Sequence, residues 1–309
     1  MNQSLNQSPF FSIVIPTYNR ASLIFETLES VFQQTYTNYE IIVVDNASTD
    51  NTIELLSPLD AAGKIRLIRN EKNIERSKAR NVGFKNAKGD FLTLLDSDDF
   101  MYPSNLQDAA DFILENPSIH FFHNFYELVD SHKKALYHYS YPHPSKQLKA
   151  LAEGNFVSCI GVFLSKKVYS NYHFNEDEKI LGSEDWELWI RVRSKYNLGV
   201  IPKINNGIRH HTQRSITAYD LDSIVARKEY IIENLLKDKN VKASFNQYKE
   251  LMLASAYVFG AISANQALQF KQAKNLLKKA LKIYPKLLLK PRFLRAAQIA
   301  NLKLDKSIK

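Results

Sequence analysis

Three polar clusters each follow a short apolar run in the first hundred residues: Pro16-Thr17-Tyr18-Asn19-Arg20, Asp45-Asn46-Ala47-Ser48-Thr49-Asp50 and Asp96-Ser97-Asp98-Asp99. The third sets three carboxylates within four residues. Such charges repel, and a hard divalent cation bound through oxygen offsets them while leaving positions open for phosphate oxygens. Mg2+ and Mn2+ both suit these ligands. An Asp after a strand also serves as a turn former or helix cap, and Ser48, Thr49 and Asp50 read that way. Downstream, Glu184-Asp185-Trp186 has two readings: acids favoured in a first helical turn by its dipole, or a carboxylate placed to take a proton from a hydroxyl. Trp186 and Trp189, three apart, suit a core or a sugar-stacking wall, with core the simpler reading for Trp189.

The elements that must carry these clusters alternate regularly. Residues 11–15, 40–44, 64–69 and 91–95 read as buried strands, and 21–34, 50–56 and 76–86 as helices. Largely apolar strands alternating with helices imply a parallel sheet covered on both faces, where ligands bind beyond the carboxyl ends of the strands. The three clusters sit at those ends. After Asp99 the pattern mixes strands (119–129, 135–141, 156–164, 198–201, 205–211) with helices (104–115, 145–151, 185–195), and from 220 onward only helices are expected. This divides the chain into an α/β domain, residues 1–219, and an α-helical extension, 220–309.

Composition narrows the class. With 309 residues, 45% of them apolar and 12% aromatic, the chain can bury a sizeable core. The single cysteine, Cys159, excludes an internal disulfide and a multi-cysteine zinc site and suits a reducing compartment. The N-terminal MNQSLNQSPF lacks the basic and apolar regions of a secretory signal. The longest uncharged stretch, 251–270, contains Ser255, Ser263, Asn265, Gln266 and Gln269, too polar for a membrane span. The net charge of +9 is concentrated in the tail: residues 251–309 carry 12 Lys and Arg against Asp305 alone, leaving 29 bases and 31 acids elsewhere. Nothing there matches a nucleic-acid-binding motif, so the basic tail points to an anionic membrane surface. Lys271, Lys274, Lys278, Lys279, Lys282, Lys286 and Lys290 lie among Leu276, Leu277, Leu281 and Leu287 to Leu289, as in an interfacial helix. Tyr257, Ala273, Ala280 and Pro285 fall near the offsets of one tetratricopeptide-type hairpin, too little for a solenoid and read as a helical cap.

IVIPTYNR, IIVVDNASTDNT, ARNVGFKNAKGDFLTLLDSDD and SEDWELWIRV together resemble, in order and spacing over residues 10–215, the family 2 glycosyltransferases. The resemblance implies a GT-A fold (Rossmann-like, a mostly parallel central sheet flanked by helices) and inverting transfer from a nucleotide-diphospho-sugar, with Mn2+ or Mg2+. It puts Pro16, Thr17, Tyr18 and Arg20 in the nucleotide-sugar segment, Thr17 and Tyr18 at the base. It has Asp45 and Asn46 reading base and ribose, with Arg80 beside the nucleotide. Asp96 would sit near the ribose with Ser97, and Asp98 would ligate the cation, His211 close by. Arg214 would offset leaving-group charge, and for Arg80 an ion pair with Asp45 or Asp96 is the other reading. Asp185 matches the base, and Glu184, Trp186 and Asp99 the acceptor side. Asn46 departs from the family's second acid, so a UDP-sugar is favoured but not fixed, and Glu75 stands where the family often has glycine. The expected acceptor is a glycan or lipid-linked hydroxyl in surface polysaccharide or lipopolysaccharide synthesis, at the cytoplasmic face of the inner membrane. Two alternatives are an inactive scaffold of the same fold and a sugar-1-phosphate nucleotidyltransferase. The latter lacks its glycine-rich loop here, the whole chain having nine glycines.

Overall fold

The computed structural model describes residues 8–139, 141–210 and 221–302. Its strands are β1 (Phe11–Thr17), β2 (Tyr39–Asp45), β3 (Arg66–Arg69), β4 (Phe91–Leu94), β5 (Phe100–Met101), β6 (Phe121–Val129), β7 (Ala135–His138), β8 (Val162–Ser165) and β9 (Leu198–Arg209). Among the described residues they form one sheet, ordered β3-β2-β1-β4-β8-β6-β9-β5, with β7 paired to β6. From β3 to β4 the strands run parallel. Antiparallel β8 lies between β4 and β6, β6 and β9 are parallel, and β5 is antiparallel to β9. The helices are α1 (Ile24–Phe32), α2 (Thr52–Ala61), α3 (Arg76–Asn86), α4 (Asn105–Glu115), α5 (Gln147–Glu153), α6 (Lys166–Tyr169), α7 (Glu184–Arg193), α8 (Leu221–Leu235), α9 (Lys239–Phe245), α10 (Lys249–Gln266), α11 (Phe270–Ile283) and α12 (Pro291–Leu302).

The residues gather into two compact units. The first holds those described up to Pro144, then Val157–Glu176 and those from Lys195 to His210; the second holds Ser145–Phe156, Asp177–Ser194 and those from Leu221 on.

In the first unit, alternate residues of β1 face opposite ways. Ile13 and Ile15 share a core with Leu28 of α1, Ile41 and Val43 of β2, and Leu106 and Ile113 of α4. Val14 points the other way, against α3, where a Cβ on Gly83 would collide with it. Helices thus cover both faces, which is why β1 and β2 are apolar almost throughout. Residues 198–211, expected as two strands, contain one strand, β9. Pro202 cannot donate to a ladder, and the pairing with β6 shifts register from Asn124 to Tyr126 to absorb it. A closed ring of buried amides links α4, β6 and β9: Asn105 Nδ2 donates to Asn206 Oδ1 (2.6 Å), Asn206 Nδ2 to Asn124 Oδ1 (2.5 Å) and Asn124 Nδ2 to Asn105 Oδ1 (3.0 Å).

In the second unit, α10, α11 and α12 share an alanine-rich core (Ala254, Ala261, Ala264, Ala273, Ala280, Ala296, Ala300) with Val258, Leu277 and Phe293. Small side chains let the helix backbones approach closely. Leu277 is buried and Leu276 and Leu281 pack against this core, so the leucines expected to make α11 interfacial face inward instead. Exposed apolar side chains of this unit lie both before α11, at Leu268 (65% exposed), and after it, at Leu288 (54%), Leu289 (82%) and Leu294 (50%). Among the described residues no helix is long and apolar enough to cross a membrane.

Candidate active site

The carboxyl ends of β1 and β2 meet side by side, Thr17 in register with Asp45. Both are buried. Asp45 Oδ2 accepts the Ser48 N–H (3.1 Å), whereas Asp45 Oδ1 and Thr17 Oγ1 are buried with no hydrogen-bond partner among the described residues. Tyr18, just past the strand, is 42% exposed. The two loops are tied together through Asn19, whose N–H donates to Ser48 Oγ (2.9 Å) and whose Oδ1 accepts the Thr49 N–H (2.8 Å). Asp50 accepts from Thr52 N–H (3.1 Å) and Ala21 N–H (3.1 Å), so it forms the turn ahead of α2 and ties it to the first loop. Burial pushes the Asp50 carboxyl up, but these donors and the Thr52 hydroxyl hold it below its ordinary value.

Asn46 explains its departure from the acidic pattern. Its Nδ2 donates to Asn73 Oδ1 (2.7 Å), while its Oδ1 accepts from Ile74 N–H (3.0 Å) and Asn70 Nδ2 (3.1 Å). A carboxylate could not make the donating bond, so the amide pins the loop leading to α3. That loop ends at Glu75, whose backbone (φ 74, ψ 154) occupies a region that side chains other than glycine's rarely enter. Of the five non-glycine residues with positive φ among the described residues, Asn19, Ala47 and Glu75 lie in these loops. Strain concentrates in the loops that follow β1, β2 and β3.

The acids after β4 are partnered by arginines. Arg80, nearly buried on α3 and 5.2 Å over the Phe174 ring, pairs with Asp96 (2.8 Å). That is one of the two pairings left open in the sequence. Arg20 pairs with Asp98 (3.2 Å). Arg209, at the end of β9, donates its N–H to Asp99 Oδ1 (3.0 Å) and Nη1 to the Asp98 carbonyl (3.2 Å), and pairs with Glu26 (3.0 Å). Asp99 and Ser97 are buried, and the Thr27 hydroxyl donates toward both of their carbonyls. Much of the charge that suggested a cation is therefore offset by guanidinium groups, which no local sequence pattern reveals. Among the described residues no group of three or more His, Cys, Asp and Glu is placed to hold a metal. Asp98, only partly buried, still fits a Mg2+- or Mn2+-type site, which needs one or two carboxylates, the rest coming from phosphate and water. His211 and Arg214 lie outside the described residues.

Glu184, Asp185 and Trp186 open α7 in the second unit. Glu184 is buried and accepts the Gly182 N–H (2.6 Å). Asp185 accepts the Trp186 N–H (2.7 Å) through Oδ1 and Asn155 Nδ2 (2.8 Å) through Oδ2. Trp186 is buried, donating Nε1–H to the Leu151 carbonyl (2.7 Å). Asn155 and Lys228, whose ammonium lies 4.1 Å from the Trp186 ring centre, were not found from the sequence, because only tertiary packing brings them to α7.

Residues 12–172, more than half of the chain, match the model of Glycosyl transferase family 2. A UDP-Glc:alpha-D-GlcNAc-diphosphoundecaprenol beta-1,3-glucosyltransferase of Escherichia coli is 30% identical over 192 residues, covering 62% of this chain and 72% of that protein. The structure of Staphylococcus aureus TarS 1-349 in complex with UDP-GlcNAc superposes with a TM-score of 0.68 at 21% identity, covering 94% of this chain and 88% of that one. The mannosyltransferase PcManGT of Pyrobaculum calidifontis, in complex with GDP-Man and Mn2+, gives 0.58 at 18%, covering 96% and 88%. The chain spans only about a third of the length of three glycosyltransferases from Rickettsia species that it matches at 29–32% identity. The sheet, the strand-end loops and the matched residues agree: the chain belongs to glycosyl transferase family 2, with the GT-A fold.

Proposed function

We propose that this glycosyltransferase is inverting and metal-dependent, moving a sugar from a nucleotide-diphospho-sugar, a UDP-sugar favoured, to a hydroxyl of a glycan or lipid-linked acceptor in surface polysaccharide or lipopolysaccharide synthesis. The observation that carries the donor reading is the adjacent pair Thr17 Oγ1 and Asp45 Oδ1, buried without partners among the described residues. Leaving a buried polar atom unsatisfied costs about 1–3 kcal/mol, and a nucleobase edge offering an N–H and a carbonyl would offset that cost. Pro16 and Tyr18 would border the same pocket, and Asn46 would hold its floor through the 70–74 loop. Arg80, held by Asp96, and Arg20, beside Asp98, set cationic charge where a diphosphate would lie. Asp98 would hold the divalent cation, with His211 as a further ligand and Ser97 fixing the turn. When bound, the cation would offset the charge developing on the leaving diphosphate.

In the transfer, the acceptor oxygen forms its bond to the anomeric carbon as the bond to the diphosphate oxygen breaks, and the nucleoside diphosphate leaves with that electron pair. Asp185 takes the acceptor proton. Asn155 and the Trp186 N–H fix its orientation, and Glu184, Trp186 and Asp99 would support the acceptor. The exposed Leu288 and Leu289, beside Lys286, favour peripheral contact with the cytoplasmic face of the inner membrane. The reaction is tested by incubating the protein with a panel of nucleotide sugars and Mn2+. One donor should be hydrolysed or transferred, and a chelator should stop it. No turnover and no nucleotide binding across the panel would contradict the reading and favour an inactive scaffold.

A further inference from the structure

The second unit holds two cations that the proposed chemistry does not use. Lys228 of α8 lies between aromatic rings, its ammonium 4.1 Å from the centre of Trp186 and 5.5 Å from that of Phe259. It also comes within 3.5 Å of Ser183 Oγ, so it touches the residues on both sides of the Glu184-Asp185 pair. Arg292 of α12 approaches the same Phe259 ring, at 5.9 Å. Among the described residues neither cation has a carboxylate within ion-pair distance. Glu153, the acid whose charge acts on Arg292, pairs instead with Lys290 (2.5 Å), two residues before it. Two cations brought to one partly exposed aromatic ring repel each other, and the Lys228 ammonium also carries a desolvation cost; an anion between them would offset both.

The geometry points to an anion subsite formed by Lys228 and Arg292, which takes a phosphate-ester group of the acceptor beside Asp185. A guanidinium offers paired donors to phosphate oxygens and an ammonium adds a point charge. The phosphate would anchor the acceptor while its hydroxyl lies toward the Asp185 carboxylate. Phosphate esters of two kinds present this chemistry, a polyprenyl diphosphate and a polyol phosphate. The inference rests on Asp185 acting as the base, and it makes the helices after residue 221 part of acceptor recognition.

The groups facing Lys228 are Asp185 on α7, Arg227 on its own helix and Arg292 on α12. Burial, with Arg292 and Arg227 adding to it against the pull of Asp185, pushes its ammonium down to about 8. Lys228 is therefore charged below that pH and loses its charge above it, so anion binding should weaken as pH rises through about 8.

The test is calorimetric titration of the full chain, without divalent cation, with farnesyl diphosphate and with glycerol 3-phosphate. At least one should bind, at least tenfold more weakly to Lys228→Met and to Arg292→Met, with Lys228→Arg retaining most of the affinity. Arg292 is exposed, so its variant keeps the test valid if Lys228→Met does not fold. Binding of farnesyl diphosphate alone would assign the lipid-linked source, and binding of glycerol 3-phosphate alone the polyol source. No binding of either probe, or binding by Lys228→Met and Arg292→Met as tight as by the wild type, would overturn the subsite. UDP binding, measured on the same wild-type preparation, separates the two readings: its absence counts against the donor site and leaves the anion result standing.

Discussion

At Asp45 the donor reading becomes a single-atom statement. Asp45→Asn keeps an oxygen for the Ser48 N–H but removes the charge from a buried position facing Thr17. Nucleotide affinity should fall at least tenfold, or about 1.4 kcal/mol, by equilibrium titration, with the melting temperature little changed. Asp185→Asn should abolish transfer and leave donor binding intact; loss of donor binding instead would refute its assignment as base. Glu75 makes a different prediction. Its backbone sits where glycine is at ease, but its side chain accepts the Arg76 N–H (2.7 Å) at the start of α3, so Glu75→Gly should raise stability by only about 1 kcal/mol in denaturant unfolding. The Asp-rich motif was legible because it follows an apolar run, and the Glu-Asp motif because it resembles a family 2 signature in order and spacing. Their partners were not. Arg20 and Arg209 reach the acids after β4 from 78 and 110 residues away, and no spacing rule announces that.

Among the elements, β1, β2 and β4 were readable because buried parallel strands are nearly continuous apolar runs ending at Pro16, Asp45 and Asp96. β5, two residues long, carried too little pattern, and Pro202 disguised β9 as two strands. The amide ring through α4, β6 and β9 also escaped, since asparagines ordinarily signal turns. Asn124→Ala would strand Asn105 Oδ1 and Asn206 Nδ2 in the core, and should lower stability by about 2–3 kcal/mol or more. Beside it on β6, burial pushes the His123 imidazole down to about 4. The unfolded chain takes up that proton near pH 6.5 and the folded chain does not until about 4. Stability should therefore fall as pH drops through this window, by on the order of 3 kcal/mol. His123→Phe should flatten that part of the stability profile.

For the whole molecule, the +11 of residues 251–309 is what the sequence disclosed, and the surface that can use it is what packing decided. Turning the α11 leucines inward leaves Leu288 and Leu289 as the adjacent exposed pair nearest the lysines of α11 and Lys286. Replacing both with Asp should release the protein from vesicles rich in anionic lipid in co-sedimentation, whereas binding indifferent to lipid charge would dispose of the membrane reading. The central claim is that the ends of β1, β2 and β4 form the donor site. A crystal structure of the full chain with a bound nucleotide-diphospho-sugar and Mn2+ tests it most directly. The base should lie against Thr17 and Asp45, with the diphosphate and cation at Asp98; a nucleotide seated away from those strand ends would rule this donor site out.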